Sequence, residues 1–158
     1  MNSRILSSGR LAVLTMSMVL SASAVLAQVN DVTGSISGHD LGVVQGGTLQ
    51  AAGGGEGTAS RIGRFTYTVQ ATVDLPTGDS SGVFVLVFFN GDVIYGSLSG
   101  HGDQTTGHIV EHLTINGGTG RFQGATGSLT FDRLEDLSTL PFFTATSGTV
   151  SGTISIPK

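Results

Sequence analysis

Glu111 is the residue whose surroundings are most typical of an acid or a base. In the segment HIVEHLTI, residues 108–115, it shares one strand face with Ile109 and Leu113, because alternate side chains of a strand point to the same side. A carboxyl group on an apolar face is desolvated and is expected to have a raised pKa, which is one mark of a functional acid or base. The pattern therefore predicts that Glu111 contacts a ligand or takes part in catalysis.

The turns on either side of this strand predict the neighbours of Glu111. A turn over residues 102–105 places Gly96 opposite Glu111 on one side, and a longer loop places Thr126 opposite it on the other. A glycine beside a carboxylate leaves room for a ligand atom. Glu111, Gly96 and Thr126 are therefore the predicted ligand-binding residues.

A structural role for Glu111 is the alternative, and it is favoured over catalysis. Thr126, or an arginine such as Arg64 or Arg121, would then satisfy the carboxylate, since buried polar groups are nearly always paired. Both interpretations are kept. Catalytic residues stay unassigned, because no nucleophile with its base, and no serine, histidine and acid together, can be placed on one face.

Three histidines suggest a metal site, which their spacing disfavours. His108 and His112 are four residues apart, about 13 Å along a strand, whereas two ligands of one zinc ion each lie ~2 Å from it. His101 and His108, with Asp103 nearby, could meet across a hairpin, but solvated surface histidines are the favoured interpretation. No metal and no cofactor is expected.

The glycine-rich stretch TINGGTGRFQGATGS, residues 114–128, looks at first like a phosphate-binding turn. Such a turn binds phosphate because it opens a helix whose free N–H groups point at the anion. The residues that follow Arg121 are glycines and β-branched or aromatic residues, which favour a strand over a helix. We therefore predict a hairpin loop and a β-bulge here, and no nucleotide site.

The elements that must position these residues are short strands. Residues 64–74, RFTYTVQATVD, alternate between apolar and polar side chains, which predicts a half-buried strand. The same cues predict an all-β domain with eight antiparallel strands, near residues 35–38, 48–52, 64–74, 82–89, 93–101, 106–116, 122–131 and 144–156. Residues 50–60, rich in glycine, are predicted as a flexible loop, and residues 132–141, with leucines three apart, as a short turn or lid.

The Asn-Gly pair at residues 90–91 predicts a two-residue hairpin loop. That register pairs Phe89 with Asp92 and directs the valines of the preceding strand into the lumen. Its aromatic and leucine side chains then point outward beside Tyr95, and these are Phe84, Leu86 and Phe88. An outer apolar stripe is covered either by the protein's own loops or by a second subunit, and we expect self-association through this stripe.

The first 27 residues have the three parts of a secretory signal peptide. Arg4 and Arg10 precede an apolar run that is too short for a membrane span, and small residues before Gln28 fit a cleavage site. The expected mature domain is residues 28–158, exported to the periplasm or beyond. It has no cysteine, and acidic residues outnumber basic ones, so neither a disulfide framework nor a nucleic-acid partner is expected.

Four segments carry a resemblance to a known family. They are GTASRIGRFTYT (57–68), NGDVIYGSLSG (90–100), LTINGGTGRFQGATGSLTF (113–131) and SGTVSGTIS (147–155). Together they resemble bacterial secreted proteins of the allene oxide cyclase/dirigent-like barrel superfamily. The resemblance implies an eight-stranded antiparallel barrel, a trimer and a lumen that receives an apolar ligand.

Two function classes follow. The first is a secreted barrel that binds a small apolar ligand or acts as a structural or interaction module. The second is a dirigent-like or cyclase-like enzyme that steers a reactive intermediate in the lumen. The first is favoured because the sequence contains no recognisable catalytic constellation.

Overall fold

The computed structural model describes residues 27–139 and 144–158. Eight antiparallel strands close into a barrel in chain order, and β1 completes the ring by pairing with β8. The strands are β1 (Gln28–Gln45), β2 (Thr48–Ala59), β3 (Gly63–Asp74), β4 (Asp79–Phe88), β5 (Val93–Asp103), β6 (His108–Gly118), β7 (Thr126–Glu135) and β8 (Thr144–Ile156). The predicted all-β single-domain barrel is confirmed. Residues 1–26 of the predicted signal peptide lie outside the described residues.

Alternation along each strand decides which side chains enter the barrel. In β3 the predicted apolar face, which begins at Phe65 and includes Tyr67 and Val69, is buried, and the threonines between them are exposed. This is the pattern of a strand with one face on the core and one in water. None of the helices among the described residues is both long and apolar enough to cross a membrane.

The flexible loop predicted at residues 50–60 is wrong, and the short turn or lid predicted at residues 132–141 is only partly correct. Residues 50–59 belong to β2, whose glycines make room for large side chains from neighbouring strands: a Cβ at Gly57 would lie 2.5 Å from the ring of Phe65. Residues 132–135 continue β7, and a short 3-10 turn follows at Leu137–Thr139. The remainder of the predicted lid, residues 140–141, lies outside the described residues.

In the β4–β5 hairpin, strand β4 directs the opposite face into the barrel from the one predicted. Phe88 N donates a hydrogen bond to Asp92 O, so the loop contains three residues, 89–91. Gly91 N donates to Phe88 O within this loop, and both hydrogen bonds are 2.9 Å long. Gly91 takes the left-handed position with φ 85°, as in a three-residue hairpin loop with a bulge. The extra loop residue pairs Val85 with Tyr95 instead of Gly96 and so reverses both faces of β4.

Phe84, Leu86 and Phe88 therefore point into the core, with exposed fractions of 1%, 0% and 3%. The predicted outer stripe and the trimer contact through these three residues are wrong. The valines expected in the lumen are on the outside instead, and they are Val83, Val85 and Val87. The faces predicted for β5 and β6 are correct, with Leu98 and Leu113 both buried.

One end of the barrel is filled by aromatic side chains. The ring of Phe88 lies 4.5 Å from that of Phe122, which belongs to a 3-10 turn (Gly120–Phe122) in the β6–β7 connection, and 5.9 Å from that of Phe65. Arg121 covers Phe122 at 4.5 Å and donates a hydrogen bond to Ile62 O. The glycine-rich stretch thus closes the barrel. The stretch also contains a register shift: Ile115 pairs with Gly96 and Gly117 with Tyr95, so the extra residue is Asn116, earlier in the sequence than the predicted bulge.

The corrected register predicts unequal costs for two neighbouring truncations in β4. Leu86→Ala removes a fully buried side chain and should lower the free energy of unfolding by about 2–5 kcal/mol. Val85→Ala, on the outer face, should cost less than about 1 kcal/mol. Denaturant unfolding of both variants measures this difference. A larger loss for Val85→Ala than for Leu86→Ala would contradict the observed register and support the predicted two-residue loop.

Candidate functional site

A buried arginine between two carboxylates forms the most polar part of the barrel interior. Nη1 of Arg133 lies 2.7 Å from Oδ2 of Asp40, and Nη2 lies 3.1 Å from Oε2 of Glu111. The side chains are 3%, 12% and 5% exposed for Arg133, Asp40 and Glu111. We call these three residues the buried ion cluster.

Three strands bring the cluster together. Asp40 lies on β1, Glu111 on β6 and Arg133 on β7, each at an inward position. Arg133 pairs with Ile109 on β6, so Glu111 is its diagonal neighbour on the same face. Asp40 reaches Arg133 across β8, because closure of the barrel places β1 beside β8.

Burial and charge act in opposite directions on the cluster. Desolvation raises the pKa of Glu111 above its ordinary value, although the guanidinium of Arg133 opposes the rise. Desolvation also tends to lower the pKa of Arg133, but the carboxylates of Glu111 and Asp40 outweigh it, and the pKa is raised. The arginine is therefore charged, and burial disfavours the ionised form of Glu111.

Glu135 lies at the next inward position of β7 after Arg133. Burial, followed by the negative charge of Asp40, raises the pKa of Glu135 to about 7. Burial also raises the pKa of Tyr67, which faces inward from β3. Glu135 is thus a carboxyl that exchanges its proton near neutral pH.

A cavity of about 390 Å³ opens above the ion cluster, at the end of the barrel opposite Phe122. Its floor and rim carry the polar residues Asp40, Ser80, Asp103, Glu111, Arg133 and Glu135. Its walls are mostly aliphatic, and they include Leu49, Ala51, Val69, Ala71, Val73, Leu75, Ile109 and Leu137. An apolar pocket with a few convergent polar groups is the usual form of a small-molecule site.

The structure places the three predicted ligand-binding residues in different surroundings. Glu111 is on the inner face and lines the cavity, as predicted. Its cross-strand neighbours, however, are Gly100 and Phe131, so the predicted register beside it is wrong. Gly96 faces inward opposite Ile115 and does not line the cavity, and Thr126 is exposed.

The turns explain this difference. The β5–β6 turn begins after Asp103, which pairs with His108, so the pairing partner of Glu111 moves from residue 96 to residue 100. On the other side, the 3-10 turn occupies part of the connection, and β7 starts at Thr126. Contact of Glu111 with a ligand stays a prediction.

The expected arginine partners of Glu111 are also elsewhere. Arg64 pairs with Glu56 on the surface at 3.3 Å, and Arg121 lies 3.6 Å from Asp92 near the closed end. Arg133 takes their place, so the structural interpretation of Glu111 as an arginine-paired carboxylate holds with a different arginine.

Sequence reasoning missed Asp40, Arg133 and Glu135. The leucine spacing in residues 132–141 suggested a helical turn and concealed the strand period that runs from Leu129 to Glu135. The signal was present, because Arg133 and Glu135 continue the inward positions of Leu129 and Phe131. Asp40 similarly continues the inward face of β1, at residues 32 and 36.

The histidines lie on the outer surface. His101 Nδ1 is 3.1 Å from Asp79 Oδ1, and His108 Nε2 is 2.8 Å from Asp132 Oδ1. His112 Nδ1 is 3.4 Å from the Thr130 hydroxyl. Within residues 27–139 and 144–158, no three histidine, aspartate, glutamate or cysteine side chains come together as a metal site would require.

Comparison of the chain with protein-family models, curated proteins and solved structures finds no match. The geometry of the site is therefore the basis for assigning a function.

The ion cluster predicts a large and pH-dependent effect of removing the arginine. Arg133→Met leaves buried carboxylates without a cation and should destabilise the protein by about 3–5 kcal/mol at pH 7. The folded pKa of Glu111, which burial already raises, then rises further above its unfolded value because the opposing charge of Arg133 is gone. Stability is retained below the unfolded pKa and lost as pH increases through the folded pKa, so the deficit should be larger at pH 8 than at pH 5.

Denaturant unfolding at both pH values measures the deficit. Arg64→Met is the matched control, because its pair with Glu56 is exposed, and it should change stability by less than about 1 kcal/mol. Similar small losses for both variants would show that Arg133 is not buried between carboxylates.

Proposed function

We propose that this protein binds a small, mostly apolar molecule in the open-ended cavity of the barrel and holds its polar group at the buried ion cluster. The observation that carries the proposal is that one cavity has both an aliphatic wall and buried polar atoms without hydrogen-bond partners among the described residues. Each is a feature of a ligand site, and the two meet in one cavity.

The size and lining of the cavity suit a small molecule. Its volume of about 390 Å³ falls within the range of ligand pockets, about 300–1,000 Å³. Ala51 and Ala71 pair across β2 and β3 and both line the wall, so small side chains keep this part of the lumen open. The opposite end is filled by Phe65, Phe88 and Phe122, which leaves one route for a ligand to enter.

The polar floor is incompletely satisfied by the protein. Oδ1 of Asp40, Nε of Arg133 and Oγ of Ser80 are buried and have no hydrogen-bond partner among the described residues. An unpaired buried polar group costs about 1–3 kcal/mol, which a polar ligand group could recover by pairing with it. A ligand with one polar end and an apolar body matches this distribution.

The same cavity accommodates the second function class, an enzyme that steers a reactive intermediate. The observation that favours it is Glu135, a cavity-lining carboxyl with a pKa of about 7, the range suited to proton transfer at neutral pH. Binding is required by both functions, so it is the property to establish first.

We also infer membership in the allene oxide cyclase/dirigent-like barrel superfamily, and export through the signal-like residues 1–27. The quoted glycine and turn motifs and the eight-stranded antiparallel barrel support the family assignment. The charged start, apolar run and small-residue end of the first segment support export.

Filling the cavity should abolish binding. A neutral apolar fluorophore, N-phenyl-1-naphthylamine, should bind the wild-type domain with enhanced fluorescence. Ala71→Phe directs a ring into the lumen and should weaken binding by about tenfold or more, whereas Thr72→Phe places the same ring on the outer face of β3 and should not. Equal binding by both variants would place the probe outside the cavity and contradict the proposal.

Self-association is proposed through a different face from the one first expected. Val83, Val85 and Val87 form an exposed row on β4, with exposed fractions of 53%, 37% and 41%, next to the half-exposed Tyr95. The neighbouring outer positions of β3 and β5 are threonines, a glutamine and serines, so this face is uncharged. Two copies of an acidic protein would meet here without charge repulsion, which supports a homo-oligomer, and the family resemblance favours a trimer.

Sedimentation velocity tests this surface. The wild-type domain should sediment as an oligomer, and Val85→Glu should sediment as a monomer because it places a charge in the apolar row. Ser151→Glu, an exposed outer position on β8, is the control and should leave the oligomer intact. A monomeric wild type, or an oligomer that resists Val85→Glu, contradicts this contact.

A further inference from the structure

The cavity lining is strongly unbalanced in charge. Among its described lining residues, four are acidic and one is basic: Asp40, Asp103, Glu111, Glu135 and Arg133. Arg133 already directs Nη1 to Asp40 and Nη2 to Glu111. The remaining carboxyl groups therefore have no cation of their own within the cavity.

Asp40 adds an acceptor that the fold leaves open. The residue is 9% exposed, and Oδ2 accepts the hydrogen bond from Arg133, but Oδ1 has no donor among the described residues. The backbone makes room for this carboxylate through Gly53, because a Cβ at that position would collide with Asp40 Oδ1. The structure thus buries a carboxylate oxygen at the cavity, and Glu135, which hydrogen-bonds to Asp40, can donate to this carboxylate only while Glu135 itself is protonated.

We propose that the cavity takes a ligand with an apolar body and a protonated amine head, with the ammonium group held between Asp40 and Glu135. This rests on the proposed function and specifies the class of its ligand. An ammonium group brings N–H donors for Asp40 Oδ1 and a second positive charge to a lining that has one arginine and four acidic residues.

An anionic head is disfavoured by the same geometry. A ligand carboxylate would approach the oxygens of Asp40, Glu111 and Glu135, and both terminal nitrogens of Arg133 are already directed to the cluster. Of the Arg133 nitrogens, Nε alone has no partner among the described residues, and it is one donor for a group that needs several. The cavity should therefore prefer a cation to an anion, because the terminal nitrogens of Arg133 already contact carboxylates of the protein.

Proton exchange at Glu135 couples binding to pH. In the free protein this carboxyl holds a proton for much of the time near neutral pH, because burial and Asp40 raise its pKa to about 7. An ammonium group beside it favours the ionised form, so binding releases the proton. Affinity should therefore increase as pH rises from 6 to 8, a range in which an alkylamine with a pKa of about 10.4 stays protonated.

The other charged and titratable groups that face this site do not reverse the trend. Hydrogen bonds from Thr105 hold the pKa of Asp103, on β5, at about 2, so it is ionised throughout. The pKa values of Tyr67 on β3 and Arg133 on β7 are both raised, so the phenol stays neutral and the guanidinium charged. Glu111 on β6 is paired with Arg133, and Asp40 on β1 accepts from it. Within the described lining, β2, β4 and β8 contribute no titratable side chain.

A matched series of probes tests the head group. Octylammonium, octanol and octanoate share one apolar chain, and each is titrated against the wild-type domain loaded with N-phenyl-1-naphthylamine. Octylammonium should displace the fluorophore at a concentration about tenfold lower than octanol, and octanoate should be the weakest. The advantage of octylammonium should increase from pH 6 to pH 8.

Glu135→Gln should remove most of this advantage and its pH dependence. Glu56→Gln, which removes the same charge at an exposed position, should preserve both. If Glu135→Gln fails to fold, the pH dependence in the wild-type protein decides.

The outcomes separate the two proposals. Octanol or octanoate binding as tightly as octylammonium would overturn the ammonium assignment and leave the apolar site standing. An octylammonium advantage that persists in Glu135→Gln, or that is lost in Glu56→Gln, would trace the preference to the overall acidity of the protein and overturn the assignment. Failure of all three probes to displace the fluorophore would overturn the proposed function itself.

Discussion

The open half of the barrel depends on the ionic contacts that the buried Arg133 makes with two carboxylates. A buried guanidinium is tolerated only where carboxylates surround it, and here they come from strands on either side of β7. One partner, Glu111, is a neighbour on the adjacent strand β6. The other, Asp40, is 93 residues away in sequence and meets Arg133 only when β1 closes against β8. The ion pair between Arg133 and Asp40 therefore forms only when the barrel closes, and it lies at the floor of the cavity.

Large and small side chains divide the lumen into two halves. Aromatic rings from β3, β4 and the β6–β7 connection fill one end, and Arg121 covers them. Toward the other end, alanine or glycine occupies some of the inward positions, as at Ala51, Ala71 and Gly100. A small barrel filled throughout would be a core and nothing else. The change in side-chain size along the axis leaves space beside the ion cluster.

Electrostatics gives that space its chemical character. The cluster alone carries more acid than base, and Glu135 adds a carboxyl that is poised between its two protonation states. Carboxyl groups in an aliphatic cavity repel one another and lose their hydration, so their protons or an external cation must compensate. The ligand site that we propose rests on this imbalance, in which the fold supplies one arginine to several acids.

Strand period and composition are local properties, and the sequence by itself determined what depends on them. It predicted an all-β chain, eight strands, the buried face of β3 and the inward position of Glu111, because alternate side chains share a face. Tertiary structure decided the rest. The Asn-Gly turn fits loops of two or three residues, and one residue of difference moved Phe84 from the surface to the core. The partner of Glu111 was beyond local patterns for a related reason: Arg133 and Asp40 become neighbours through the ring of strands, and no spacing in the sequence records which strands close that ring.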